Sequence, residues 1–114
     1  MTPTIIIKRG DTLVVKGNYK QDNDSMMNLA GYTLEVNILN SETEKPHITL
    51  VSTQHTSNRS VLITNEALGE FLLVMKDTEV LSNEDYWLDF KVTSTNGYEQ
   101  TSKALKLKVR NRLS

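Results

Sequence analysis

Glu84-Asp85-Tyr86-Trp87-Leu88-Asp89-Phe90-Lys91-Val92-Thr93, then Ser94-Thr95-Asn96-Gly97-Tyr98, then Glu99 through Val109, decides the fold. Two alternating runs flank an Asn-Gly pair, the strongest short-range signal for a β-hairpin. Tyr86, Leu88, Phe90 and Val92 fall on one face of the first run, and Leu105, Leu107 and Val109 do the same on the return. This hairpin carries the largest apolar strip in the chain, so other strands are expected to pack on it.

Upstream, the same reading gives a series of short strands. Ile5-Ile6-Ile7-Lys8 is β-branched and short, an expected edge strand, and Arg9-Gly10-Asp11 bends the chain away from it. An Arg-Gly-Asp triplet also suggests integrin adhesion, but three residues recur too often by chance to carry that. Thr12 to Tyr19 forms the next strand, with Leu13, Val15 and Tyr19 inward and Gly17 marking a bulge or a close backbone approach. The polar stretch from Lys20 to Asn28 is a loop. Its Asp22-Asn23-Asp24-Ser25 lacks the glycine and distal glutamate of an EF-hand. Leu34, Val36 and Ile38 alternate cleanly with Thr33, Glu35 and Asn37. A charged turn follows from Asn40 to Lys45, and Ile48 to Ser52 forms a short strand. Val61-Leu62-Ile63 and Gly69 to Met75 give two more apolar runs, joined by a turn at Thr64-Asn65-Glu66-Ala67. Asp77 to Asn83 is expected to make one helical turn capped by Asp77. Strands at roughly ten-residue spacing, with turn signals between them, predict an all-β, Ig-like antiparallel sandwich of about seven to eight strands. At 114 residues, the whole chain, 1–114, is expected to be a single domain.

Composition narrows the function classes. There is no cysteine, so neither a disulfide framework nor a thiolate zinc site is available. No apolar run reaches the ~18 residues needed to span a bilayer, and no export signal is visible, so no membrane association is expected. A net charge of -1 argues against a nucleic-acid partner held by phosphate neutralisation. The charge is nevertheless uneven. Acidic residues cluster from Asp77 to Glu99, whereas Lys103, Lys106, Lys108, Arg110 and Arg112 follow with no acid among them. That pattern fits cross-strand pairing within a sheet, and it also fits an assembly surface.

Catalytic signals are missing. His47 and His55 are too few for a tetrahedral metal site without added carboxylates. There is no Gly-x-Ser-x-Gly elbow and no glycine-rich phosphate loop. The acids sit on turns and outer strand faces rather than in a cleft. The chain is therefore expected to be no enzyme and to hold no metal or cofactor. Trp87 stands apart. Alternation turns it outward with Asp89 and Lys91, where it either anchors a contact or is covered by the domain's own loops, and a one-residue bulge would turn it into the core.

Three passages together resemble a known pattern: Arg9-Gly10-Asp11-Thr12, Asn28-Leu29-Ala30-Gly31-Tyr32-Thr33, and Tyr86-Trp87-Leu88-Asp89-Phe90-Lys91-Val92 with Asn96-Gly97 after it. Their order resembles the immunoglobulin-like domain of tailed-bacteriophage virion proteins, such as the N-terminal domain of baseplate upper proteins. Ala30 stands where that family usually has threonine, Glu84-Asp85 precede Tyr86 where glycine is common, and Glu42 to Arg59 has no counterpart. The resemblance implies a non-enzymatic structural protein of the virion, made in the host cytoplasm. Its partners would be other tail or baseplate proteins or a receptor-binding fibre, with the chain as a homo-oligomer in the assembly. The candidate interface residues are Trp87, Asp89, Lys91, Lys106, Lys108 and Arg110. A carbohydrate-binding or adhesive sandwich using Trp87 as a platform is the alternative.

Overall fold

A computed structural model describes residues 4–20, 27–40 and 46–111. Eight strands run in order: β1 (Thr4–Lys8), β2 (Leu13–Asn18), β3 (Tyr32–Asn40), β4 (Pro46–Val51), β5 (Arg59–Asn65), β6 (Glu70–Met75), β7 (Asp85–Ser94) and β8 (Glu99–Arg110). They form a five-stranded sheet ordered β1-β8-β7-β3-β4 and a three-stranded sheet ordered β2-β6-β5. The two sheets pack as an Ig-like β-sandwich. Pairing is antiparallel except between β1 and β8, which run parallel. The expectation of an antiparallel sandwich is corrected at that one pair. The Arg9-Gly10-Asp11 bend carries the chain from one sheet to the other, so β1 joins the far strand of the hairpin instead of pairing with β2.

Period-two alternation places the core. Tyr86, Leu88, Phe90 and Val92 are buried from the hairpin, with Leu107 and Val109 beside them and Leu105 half-buried. Leu34, Val36 and Ile38 join from β3, and Leu13, Val15, Phe71, Leu73, Met75 and Val61 face them from the smaller sheet. Phe71 and Phe90 meet across the gap with ring centroids 5.0 Å apart, in a tilted pair. These two rings bridge the sheets in a chain that has no cysteine to do so.

The hairpin turns through Thr95-Asn96-Gly97. Gly97 has φ of 85°, its N–H donates to Ser94 O, and the Ser94 N–H donates to Tyr98 O. A three-residue loop closed by a left-handed glycine is one of the common hairpin connections. A register shift between Leu88 and Asp89 bulges β8 near Ala104. Gly17 marks a close approach and not a bulge, because β2 and β6 pair without a shift and a Cβ there would lie 3.1 Å from the Phe71 ring.

One expected detail is overturned. Residues Thr78–Val80 do form a short 3-10 turn, but Asp77 makes no side-chain capping bond to it. The Asp77 carboxylate instead accepts from Arg59 Nε at 3.0 and 3.2 Å, with Arg59 Nη2 at 2.9 Å. A forked guanidinium outcompetes a backbone N–H for a carboxylate. The polar loop from Lys20 to Asn28 and the charged turn from Asn40 to Lys45 fall largely outside the described residues.

Tyr86 opens β7 with its ring buried and its hydroxyl accepting from the Ser82 N–H at 2.9 Å, four residues upstream. This is the tyrosine-corner geometry of immunoglobulin-like sandwiches. Tyr86→Phe leaves the Ser82 N–H without that acceptor and is expected to cost about 1–1.5 kcal/mol, read from urea unfolding.

Candidate interaction surfaces

The six expected interface residues all lie on the outer face of the five-stranded sheet, because they alternate with the core residues of β7 and β8. Trp87 is outward and half-buried, so no bulge carries it into the core. Its register neighbours are Leu39 on β3 and Lys106 on β8. Lys106 Nζ sits 5.7 Å from the Trp87 ring centroid, a cation–π contact that occupies one face of the indole. Leu39 is buried although it lies outside the core cluster, at the point where the β3–β4 register shifts. Leu39, Trp87 and Lys106 thus make a small covered row on this face.

Several of the charges around that row are paired with one another. Asp85 accepts from Arg110 Nη2 at 3.0 Å and lies 3.9 Å from Lys106 Nζ. Lys91 sits between Glu35 at 3.9 Å and Glu99 at 3.4 Å. Asn37 donates to Glu35 and accepts from Thr49. Asp89 is half-buried, in register with Asn37 and Lys103, and Lys108 is in register with Asp85 and Ile6. The side chain of Lys103 is outside the described residues. The acidic strand beside the basic strand is therefore cross-strand pairing within the sheet, each pair worth a few tenths of a kcal/mol.

A second surface was not expected from the sequence. On the outer face of the three-stranded sheet, Val14 pairs in register with Val74, and Leu72 pairs with Leu62 on its other side. Val14 is 56% exposed and Leu62 44% exposed, while Leu72 and Val74 are half-buried. Lys16 and Ser60 complete the two rows. The signal was legible in the consecutive apolar triplets Leu13-Val14-Val15, Val61-Leu62-Ile63 and Leu72-Leu73-Val74. A half-solvated strand alternates, whereas three adjacent strands with unbroken apolar triplets present apolar side chains on both faces.

The Arg-Gly-Asp bend is occupied internally. Arg9 donates through Nε to Leu81 O at 2.7 Å and through Nη2 to Glu79 O at 2.6 Å. Gly10 N–H donates to the buried Thr78 hydroxyl, which donates to Asp11 O. These bonds pin the bend to the 3-10 turn.

Asp77 adds a pH response. The Arg59 guanidinium bonded to it holds its carboxyl below the ordinary 3.8, against an opposing effect of burial. A depressed carboxylate stabilises the fold above its unfolded pKa, and that contribution disappears as pH falls through the folded value. Asp77→Asn is expected to be less stable than wild type at neutral pH, with the gap closing in acid-unfolding curves as pH falls below the ordinary 3.8 and through the lowered folded value.

Among the described residues no group of three or more histidine, aspartate or glutamate side chains is placed to hold a metal. No helix there is long and apolar enough to cross a membrane. No protein-family model and no curated protein matches the chain. Among solved structures, murine CRIg, an immunoglobulin-like domain, matches with a TM-score of 0.50 and 13% sequence identity, over 99% of this chain and 96% of its own. At that identity the likeness speaks for fold alone, and together with the sheet topology it makes this chain an Ig-like β-sandwich.

Proposed function

We propose that this chain is a non-enzymatic assembly module of a bacteriophage virion, a tail or baseplate component that binds other virion proteins or a receptor-binding fibre. The observation that carries the reading as a protein-binding module is the apolar outer face of the three-stranded sheet. Val14, Leu62, Leu72 and Val74 form two adjacent rows across it with a single charged residue, Lys16. Contiguous apolar surface of this kind marks protein contact sites. The virion assignment rests on the three passages that resemble phage immunoglobulin-like domains. In the fold they occupy the β1–β2 bend, the turn into β3 with Gly31 at φ of 78°, and the central strand β7.

The paired charges of the larger sheet suit a lateral or solvated face, and the indole of Trp87, covered on one side by Lys106, is poorly placed as a sugar platform. Several copies of the chain would be present in each particle.

The test is mass spectrometry of purified particles from a phage encoding this chain, with wild type compared to Leu62→Asp/Leu72→Asp. Wild type is expected in the particles, and the variant, folded by circular dichroism, is expected to be lost from them. Absence of the wild-type chain from particles, or full incorporation of the folded variant, would refute the reading. So would glycan binding by the isolated chain that vanishes in Trp87→Ala.

A further inference from the structure

One side of the sandwich is open. Between β2 of the small sheet and the β1–β8 side of the large sheet runs an apolar groove of ≈ 340 Å³. Its walls and floor include Ile5, Val15, Gly17, Phe71, Phe90 and Leu105. The β1–β2 bend ties the two sheets at one end. At the other end Tyr19, just beyond β2, donates its hydroxyl to Gln100 O on β8. Gly17 lies directly over the Phe71 ring that lines the groove, and any side chain there would lie against it.

The rim of this groove is an unpaired strand edge. β2 lies at the border of its sheet and pairs with β6. The Tyr19 N–H donates to Gly69 O on the β6 side. Backbone groups alternate direction along a strand, so Leu13, Val15 and Gly17 face β6, and Val14, Lys16 and Asn18 turn theirs outward. Among the described residues no strand meets those three. Unpaired strand edges template the addition of another strand.

Charge selects the occupant. Lys16 is exposed at the centre of the edge and forms no ion pair among the described residues. Two copies meeting edge to edge about Lys16 would set like charges opposite each other, which disfavours self-pairing. A strand with an acidic residue at that position is favoured by the same rule.

We propose that this edge and groove take an extended segment of a partner polypeptide as an added strand. Its apolar side chains enter the groove beside Val15 and Gly17, and an acidic side chain on the outer face lies opposite Lys16. The inference deepens the assembly reading by naming how a partner binds, and its test does not depend on virion origin. A chain absent from particles that still binds the peptide would remove the virion reading alone, and a chain incorporated into particles that ignores the peptide would remove this one.

The probe is a synthetic peptide of about six residues, a usual strand length, alternating valine and glutamate. Amide NMR of the full chain is expected to show shifts along Val14 to Asn18 and slowed hydrogen exchange at Val14, Lys16 and Asn18. Lys16→Pro removes an edge-facing N–H without removing a bond to β6, and edge strands tolerate proline there. It is expected to weaken binding by about tenfold or more while the fold is retained. Should that variant unfold, two peptides N-methylated at alternate residues decide the matter on the wild-type protein. One phase is expected to lose binding and the other to keep it. No binding, equal behaviour of both methylated peptides, or shifts centred on Leu62 and Leu72 would overturn the proposal. Protection of the same amides without peptide, growing with protein concentration, would overturn it in favour of a second copy.

Discussion

Phe90→Ala is expected to lower the free energy of unfolding by about 3–5 kcal/mol, the range for deleting a buried aromatic ring. Phe90 is 1% exposed on β7, the central strand of the five-stranded sheet, and its ring meets Phe71 at 5.0 Å from the opposite sheet. The substitution removes the apolar transfer energy of the ring, its share of the aromatic pair, and the bridge between the sheets. Neighbours cannot fully close over the space, because β7 is held on both sides, by β3 and β8. A small domain is stable by only about 5–15 kcal/mol, so the variant is expected to sit close to its unfolding threshold at ambient temperature. Urea unfolding checks this through a lower midpoint at unchanged slope. A loss under about 1 kcal/mol would show that the core repacks freely and that the Phe71–Phe90 bridge is dispensable.

Gly69→Ala is expected to cost about 3 kcal/mol or more, although it adds a single methyl group. Gly69 has φ of 66°, a left-handed conformation that costs an L-residue about 1–2 kcal/mol. The larger effect is steric. A Cβ there would lie 2.6 Å from Met27 O and 2.8 Å from Tyr19 O, both backbone atoms. Neither oxygen can rotate away, and Tyr19 O already accepts from the Met27 N–H while Tyr19 N–H donates to Gly69 O. Moving the backbone to admit the methyl therefore strains the bonds that join the end of β2 to the β5–β6 turn. Gly97→Ala is the control. Its φ is 85°, but nothing lies within 4 Å of the new Cβ, so the conformational penalty of about 1 kcal/mol stands alone. Equal thermal shifts in the two variants would refute the steric account.

Reading the sequence recovered the elements whose signal is local. The hairpin, the inward faces of β2, β3 and β7, and the edge position of β1 all follow from alternation and turn chemistry in short windows. Asp77 was misread for the same reason. Its sequence neighbours make it look like a helix cap, whereas its real partner is Arg59, eighteen residues upstream and on another strand. The pairing of the acidic and basic strands was legible as one of two possibilities. The structure shows the pairing itself, with Asp85 bonded to Arg110 and near Lys106 across the two strands.

The apolar outer face of the small sheet stood in the sequence as three unbroken apolar triplets, but each read alone is simply a buried strand. By itself the sequence determined the β class, the hairpin and most of the core, because side-chain alternation has a fixed period of two and the buried face of a strand is apolar. Which strands share a sheet, and which edge is left open, was decided by the tertiary structure. Those depend on where the Arg9 bend sends the chain and which strands it brings together, distances that no local pattern encodes. The groove along β2 follows from β1 joining β8 in the other sheet, which leaves Val14, Lys16 and Asn18 without a neighbouring strand among the described residues.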